Sequence, residues 1–113
     1  MPMRGDESED RACDYLKQEG YMIVARNWRT RAGEVDIIAR DGDVLVFVEV
    51  KARSGNGFGG PEAAVGLAKQ RRLIAAARTF LEETQCELSS RFDVVAIRPG
   101  HIRLHQDAFQ VPD

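Results

Sequence analysis

The sequence predicts a mixed α/β domain built on one sheet, and three observations predict it. Apolar runs of strand length ("VLVFV", "VVAI") are bounded by turn residues, as in buried strands. Two other stretches carry apolar residues at helical spacing. With 113 residues, 43% of them apolar, the chain can bury a core without disulfides or metals, so one domain spanning 1–113 is expected.

The elements follow in order. "SEDRACDYLKQEG" reads as a helix, with Ser8 as N-cap, acids in its first turn, Ala12 and Leu16 inward, and Gly20 as its stop. "YMIVARNWR" reads as a strand and "TRAG" as a turn. "EVDIIAR" and "VLVFVEVK" are two more strands joined through "DGD", and "ARSGNGFGG" is a loop. Pro61 suits the first turn of a helix reaching about Glu83, with Leu67, Ile74, Ala77 and Leu81 as its core face. "RFDVVAIRP" is a fourth strand and "HIRLH" a short fifth after Pro99-Gly100. The order is α-β-β-β-α-β-β.

The third strand ends oddly. Glu49 and Lys51 are two residues apart, so on a strand they share a face. The "DGD" turn fixes what lies beside them. With Asp41-Gly42 as the loop, paired residue numbers sum to 83; with Gly42-Asp43 they sum to 85. Both sums are odd, so Asp36 falls opposite Phe47 or Glu49, on the face of Glu49 and Lys51, and Glu34 joins them. Two bare carboxylates ~4 Å apart repel by about 4 kcal/mol at an effective dielectric near 20. A raised pKa, the lysine, or a divalent cation can relieve this. Oxygen donors without Cys or His select Mg²⁺ or Mn²⁺ over zinc, and such an ion beside a lysine suits phosphodiester hydrolysis. The competing account is a hairpin laced by salt bridges such as Glu34–Lys51 and Asp36–Arg53.

Charge leaves a polyanion partner open. The net charge is −2, but residues 26–78 carry ten Lys/Arg against six acids, so the middle is +4 and the ends together −6. The N-terminus is acidic and lacks the apolar stretch of a signal peptide, and no run is long enough to span a bilayer. Cys13 and Cys86 are isolated, as expected of reduced thiols in the cytoplasm.

Glu9, "GEVD" and "FVEVKAR", in that order, resemble the PD-(D/E)XK nuclease superfamily, close to the Holliday-junction resolvases. With "FGGPEAAVGLAKQRRLIAAARTFL" and "RFDVVAI", the chain from Ser8 to Arg98 looks like the YraN family of predicted bacterial endonucleases. The resemblance implies a restriction-endonuclease-like fold and a metal-dependent endonuclease acting on DNA, branched or otherwise structured. By position it makes Asp36 and Glu49 ligands of Mg²⁺ or Mn²⁺, joined by the Val50 carbonyl and by Glu9 from the first helix. Lys51 becomes the catalytic lysine. A homodimer is also implied, since resolvase-like relatives cut two strands symmetrically. The alternative is a nucleic-acid-binding or scaffold protein that keeps the fold without turnover.

Other features bear on this. Arg26, Arg29, Arg31, Arg53, Lys69 and Arg72 supply a track for DNA phosphates. "GNGFGG" spells G-x-G-x-x-G, but one strand-helix-strand unit is too little for a dinucleotide fold, and a loop beside a phosphate site, with Phe58 against a nucleotide, fits better. Trp28 between two arginines is expected to pack, with base stacking as the alternative. His101 and His105 are expected to be incidental neighbours, and Asp93 to bond Arg91.

Overall fold

A computed structural model describes residues 5–53 and 62–112. The elements are α1 (Gly5–Gln18), β1 (Met22–Arg29), β2 (Glu34–Asp41), β3 (Val44–Ala52), α2 (Leu67–Thr84), β4 (Ser89–Arg98) and β5 (His101–Phe109). They form an open five-stranded sheet in the spatial order β1-β2-β3-β4-β5, parallel only between β3 and β4 and antiparallel elsewhere. The central strand β3 is the most apolar because both of its faces are covered.

One helix covers each face. Ala12, Cys13 and Leu16 of α1 bury against Ile37, Ala39, Val46, Val48, Val95 and Ile97. On the other side Leu73, Ile74, Ala76, Ala77 and Phe80 of α2 pack on Ile38, Leu45, Phe47 and Phe92. Phe47 joins this layer to Phe80 and Phe92 through ring contacts at 6.0 and 5.7 Å. The alternation along β3 is clean: Leu45 and Phe47 face α2, Val46 and Val48 face α1. Glu49 and Lys51 therefore continue the α2 face, just past the point where the core ends.

Several element boundaries differ from expectation. Ser8 is not an N-cap; it lies inside α1, buried, and its hydroxyl has no partner among the described residues. The carboxyl end of α1 is closed by hydrogen bonds from Gly20 N to Lys17 O and from Tyr21 N to Leu16 O. The second helix starts at Leu67, with Gly66 as a cap that offers no side-chain bond, and Leu67 is exposed, not part of the core. Pro61, "GNGFGG" and Phe58 lie outside the described residues. The fifth strand runs nine residues, well beyond "HIRLH".

The far end of the sheet explains that longer strand. Asp93 is fully buried, as a charged group tolerates only when its partners are complete. It accepts from Tyr21 Oη at 2.7 Å, from Arg91 Nε at 2.9 Å and from the backbone N–H of Asp107 at 3.0 Å. Arg91 also reaches Asp41 at 2.8 Å, and Gln106 donates to Tyr21 Oη. Burial pushes the Tyr21 hydroxyl up to about 12, so it remains a donor to Asp93. This network ties β5 to β4 and to the segment after α1. The expected Arg91–Asp93 bond is present within it.

Candidate active site

The β2–β3 hairpin decides the site. Asp41 pairs with Val44, Ile38 with Phe47 and Ile37 with Val48, so the loop is Gly42-Asp43 and the sum is 85. Gly42 has φ +60°, as the tight primed hairpin turns require. In this register Asp36 lies across from Glu49. Asp36 Oδ2 accepts the backbone N–H of Val50 at 2.8 Å, which anchors that carboxylate at the end of β3. The Glu49 carboxyl comes within hydrogen-bonding reach of Asp36. Two carboxyls can bond only if one carries a proton. Accordingly Glu49 is pushed up to about 8, first by burial and then by its bond to Asp36 and the charge there; Lys69 pulls the other way. Lys69 Nζ of α2 stands 3.5 Å from Glu49 Oε2.

Lys51, one step farther along the same face, donates from Nζ to the carbonyl of Ala64. Burial and then the Arg53 charge lower its pKa, with Glu49 opposing. Glu49, Val50, Lys51, Arg53 and Lys69 line a cleft of about 220 Å³ closed by Ala64–Gly66. The lysine and the two acids thus share one end of the sheet.

Glu9 approaches from α1. Burial raises its pKa first, then the charge of Asp36, while Arg26 and a side-chain bond from Asn27 lower it. Glu9 Oε1 is buried without a hydrogen-bond partner among the described residues. Among those residues no three of His, Cys, Asp and Glu gather closely enough to enclose a metal ion. Asp36 and Glu49 therefore form a two-carboxylate pair, with Glu9 within electrostatic reach of Asp36.

Asn27 is the site residue that sequence reasoning missed. Val35 and Ile38 both join the α2 cluster while Ile37 joins the other, so the alternation of β2 slips at Asp36. Trp28 pairs with Val35 and Arg26 with Ile37, which puts Asn27 across from Asp36, at φ +52°. The signal was available: asparagine is a poor strand residue but tolerates the left-handed region.

The remaining expected residues divide. Arg26 is paired with Asp10 at 2.7 Å, and Arg29 with Glu34 at 3.1 Å. Arg53 donates to the Ala52 carbonyl. Arg31, Lys69 and Arg72 line a cleft between the β1–β2 turn and α2. The bridges Glu34–Lys51 and Asp36–Arg53 are not among the ion pairs of the described residues; Glu34 goes to Arg29 instead. The acids are thus not explained away by the salt-bridged hairpin. Trp28 packs edge-on against Phe80 with centroids 5.4 Å apart, as expected of a structural tryptophan. The two histidines are not incidental. His101 Nε2 and His105 Nε2 each meet a different oxygen of Glu62 at 2.6 Å, clamping the segment before α2 to β5. Both contacts lower the pKa of Glu62, His105 more than His101.

Known sequences match this arrangement over most of its length. The model of the uncharacterised protein family UPF0102 matches residues 8–97. The UPF0102 protein of Symbiobacterium thermophilum is 49% identical over 111 residues, covering 93% of this chain and 94% of its own. That of Rhodococcus opacus is 53% identical over 98 residues (86% and 83%), and that of Cupriavidus necator 47% over 108 residues (95% and 82%). With the family match spanning every strand of the sheet up to Ile97 and both helices of the site, this chain belongs to the UPF0102 family.

Proposed function

We propose that this protein is a metal-dependent endonuclease of the PD-(D/E)XK type, hydrolysing phosphodiester bonds in DNA of branched or otherwise structured form. The observation that carries the reading is the Asp36–Glu49 pair: two adjacent carboxyls, one holding a proton near pH 8, with Lys51 next along the strand. The resemblance of "GEVD" and "FVEVKAR" to that superfamily supplies the reaction class. Helices on both faces of a mixed sheet are compatible with its fold.

The pair fits a hard divalent cation. Its donors are all oxygen, it is mostly buried, and the shared proton is what a cation would replace. Asp36 and Glu49 would hold the ion, with the buried, unpartnered Oε1 of Glu9 behind them. A bound Mg²⁺ or Mn²⁺ supplies positive charge for a phosphoryl oxygen and a more acidic water. The Val50 N–H fixes the orientation of Asp36, while the Val50 carbonyl remains a proposed further donor. Lys51, with its pKa lowered, is placed to orient the attacking water and to balance charge developing on the phosphate. Water adds to phosphorus as the bond to the 3′ oxygen breaks, and that oxygen takes up a proton, leaving a 5′-phosphate and a 3′-hydroxyl.

One observation favours a second reading, a DNA-binding scaffold without turnover. Lys69 at 3.5 Å already compensates Glu49, and the Lys51 amine is engaged by Ala64, so the site is tolerable without a metal. A panel of single-stranded, duplex, flap and four-way-junction DNA with Mg²⁺ or Mn²⁺ separates the two. Cleavage should fall at least about 10²-fold in Asp36→Ala, Glu49→Ala and Lys51→Ala while their circular dichroism is kept. Cleavage in EDTA, or by these variants at the wild-type rate, refutes the enzyme. Absence of cleavage together with no calorimetric uptake of Mn²⁺ favours the scaffold.

A further inference from the structure

Beside the acidic pair lies a cleft of opposite character. The β1–β2 turn and α2 enclose about 360 Å³, walled by Arg29, Arg31, Gly33, Glu34, Lys69 and Arg72. Four cations meet one acid there. Arg29 is committed to Glu34 at 3.1 Å, and Lys69 leans toward Glu49 at 3.5 Å. Arg31 and Arg72 have no ion pair or hydrogen bond among the described residues, so two exposed guanidiniums face the cleft uncompensated.

The walls are fixed before any ligand arrives. Thr30 Oγ1 accepts the N–H groups of Ala32 and Gly33 at 3.0 and 3.2 Å, and Thr30 N donates to Gly33 O at 2.8 Å. Those three backbone donors are spent within the turn, which leaves the side-chain cations as the main attraction for an anion. Gly33 rests directly on α2: a Cβ there would come within 2.6 Å of Arg72 O. The turn and the helix are therefore held at a set spacing. Lys69 lines both this cleft and the one at Glu49, so the two adjoin. On the outer side, a cleft of about 440 Å³ shares the Arg29–Ala32 wall and is bordered by Trp28.

We propose that the cleft between Arg31 and Arg72 is a phosphate-binding subsite that grips the nucleic-acid strand beside the acidic pair. The proposal deepens the nuclease reading and rests on it for the identity of the strand, but not for the anion chemistry. Two guanidiniums on opposite, rigid walls match the forked recognition of phosphate oxygens. The neighbouring acids, Asp36 and Glu49, repel phosphate unless a cation neutralises them. The strand is thus held by one site and presented to the other.

Inorganic pyrophosphate titrated in EDTA tests the subsite without catalysis. Trp28 is the one tryptophan of the chain and borders the adjoining cleft, so its fluorescence reports binding, with the melting temperature as a second readout. Saturable binding is expected, weakened tenfold or more in Arg31→Ala/Arg72→Ala. It should be unchanged in Arg71→Ala/Arg78→Ala, which removes the same charge from exposed positions outside the cleft. The salt dependence of single-stranded DNA binding should lose about 1.4 units of log–log slope in the first double variant, at ~0.7 per phosphate contact. Equal loss in both double variants, or no saturable response in the wild type, overturns the subsite. Pyrophosphate binding without DNA cleavage sinks the nuclease reading alone, and cleavage with no pyrophosphate response sinks the subsite alone.

Discussion

Replacing Glu49 by glutamine should make the metal-free protein more stable, by an amount that grows as pH rises from about 5 and levels off above 8. Glu49 titrates near 8 in the fold, against 4.5 for an unperturbed glutamate. Its folded pKa is raised, so its contribution to stability is complete below about 4.5 and is lost as pH rises through 8. In that window the folded state holds a proton that the unfolded chain has released. At pH 8 to 9 the accumulated penalty is on the order of 4 kcal/mol, by the linkage of 1.36 kcal/mol per pKa unit. Glutamine keeps a donor for Asp36 and removes the titration. Urea unfolding of both proteins in EDTA from pH 5 to 9 measures the difference, and groups remote from Glu49, such as the His101–Glu62–His105 clamp, cancel between them. Near pH 5 the two curves should nearly coincide; at pH 8.5 the variant should be ahead by several kcal/mol, on the order of 10 °C in Tm. A difference that does not change with pH would show that Asp36 and Glu49 do not share a proton, and the site loses its physical basis.

Three further outcomes test the surroundings. Asp93→Ala should lower stability by about 3–5 kcal/mol in urea unfolding, because Arg91 and Tyr21 lose a common buried partner. Ser8→Ala should raise it by about 1 kcal/mol, since the buried hydroxyl has no partner among the described residues and alanine is the better helix former. Gly33→Ala should cost about 1–3 kcal/mol and weaken pyrophosphate binding, because the added methyl meets the Arg72 backbone at 2.6 Å and drives the turn off α2; unchanged stability and binding would show that the turn yields freely.

How much of this was legible in the sequence depended on how far each inference had to reach. The Asp36–Glu49 contact could be read because the hairpin is local and both two-residue loops put the two acids on one face, whereas a three-residue loop without a bulge would have parted them. Helix α2 was harder. Pro61 suggested an early start, yet the helix begins at Leu67, which is exposed. The phase of the stripe was right, since Ile74 and Ala77 are buried and Leu81 packs beside them, but it was too narrow and left out Leu73, Ala76 and Phe80. Strand β5 was underestimated because "QDAF" is polar and Asp107 sits at φ +54°; what extends it is the buried Asp93 accepting the Asp107 N–H, a contact across the sheet. Glu62 finds its histidines, and Lys69 its place beside Glu49, only after the elements pack, so no local pattern marked those contacts.

Asp93 and Glu49 lie one register step apart on neighbouring strands but on opposite faces of the sheet, and the two acids are solved in opposite ways, a contrast that bears on function. Asp93 is wholly buried yet receives a guanidinium, a phenol and a backbone N–H, so its charge is complete and nothing is left to bind. Glu49 is 13% exposed, with a single lysine at 3.5 Å and a second carboxyl alongside. Removing Asp93 should therefore damage the fold, whereas neutralising Glu49 should relieve it. A fold stabilised by losing a residue holds that residue at a cost, and such strain clusters where a ligand makes up the difference. The uncompensated charge of the pair is negative and its donors are oxygen, and the guanidiniums of Arg31 and Arg72 stand next to it. On the proposed nuclease reading a cation would complete the acids and an anion the arginines, and a phosphate strand carrying a divalent ion would supply both at once.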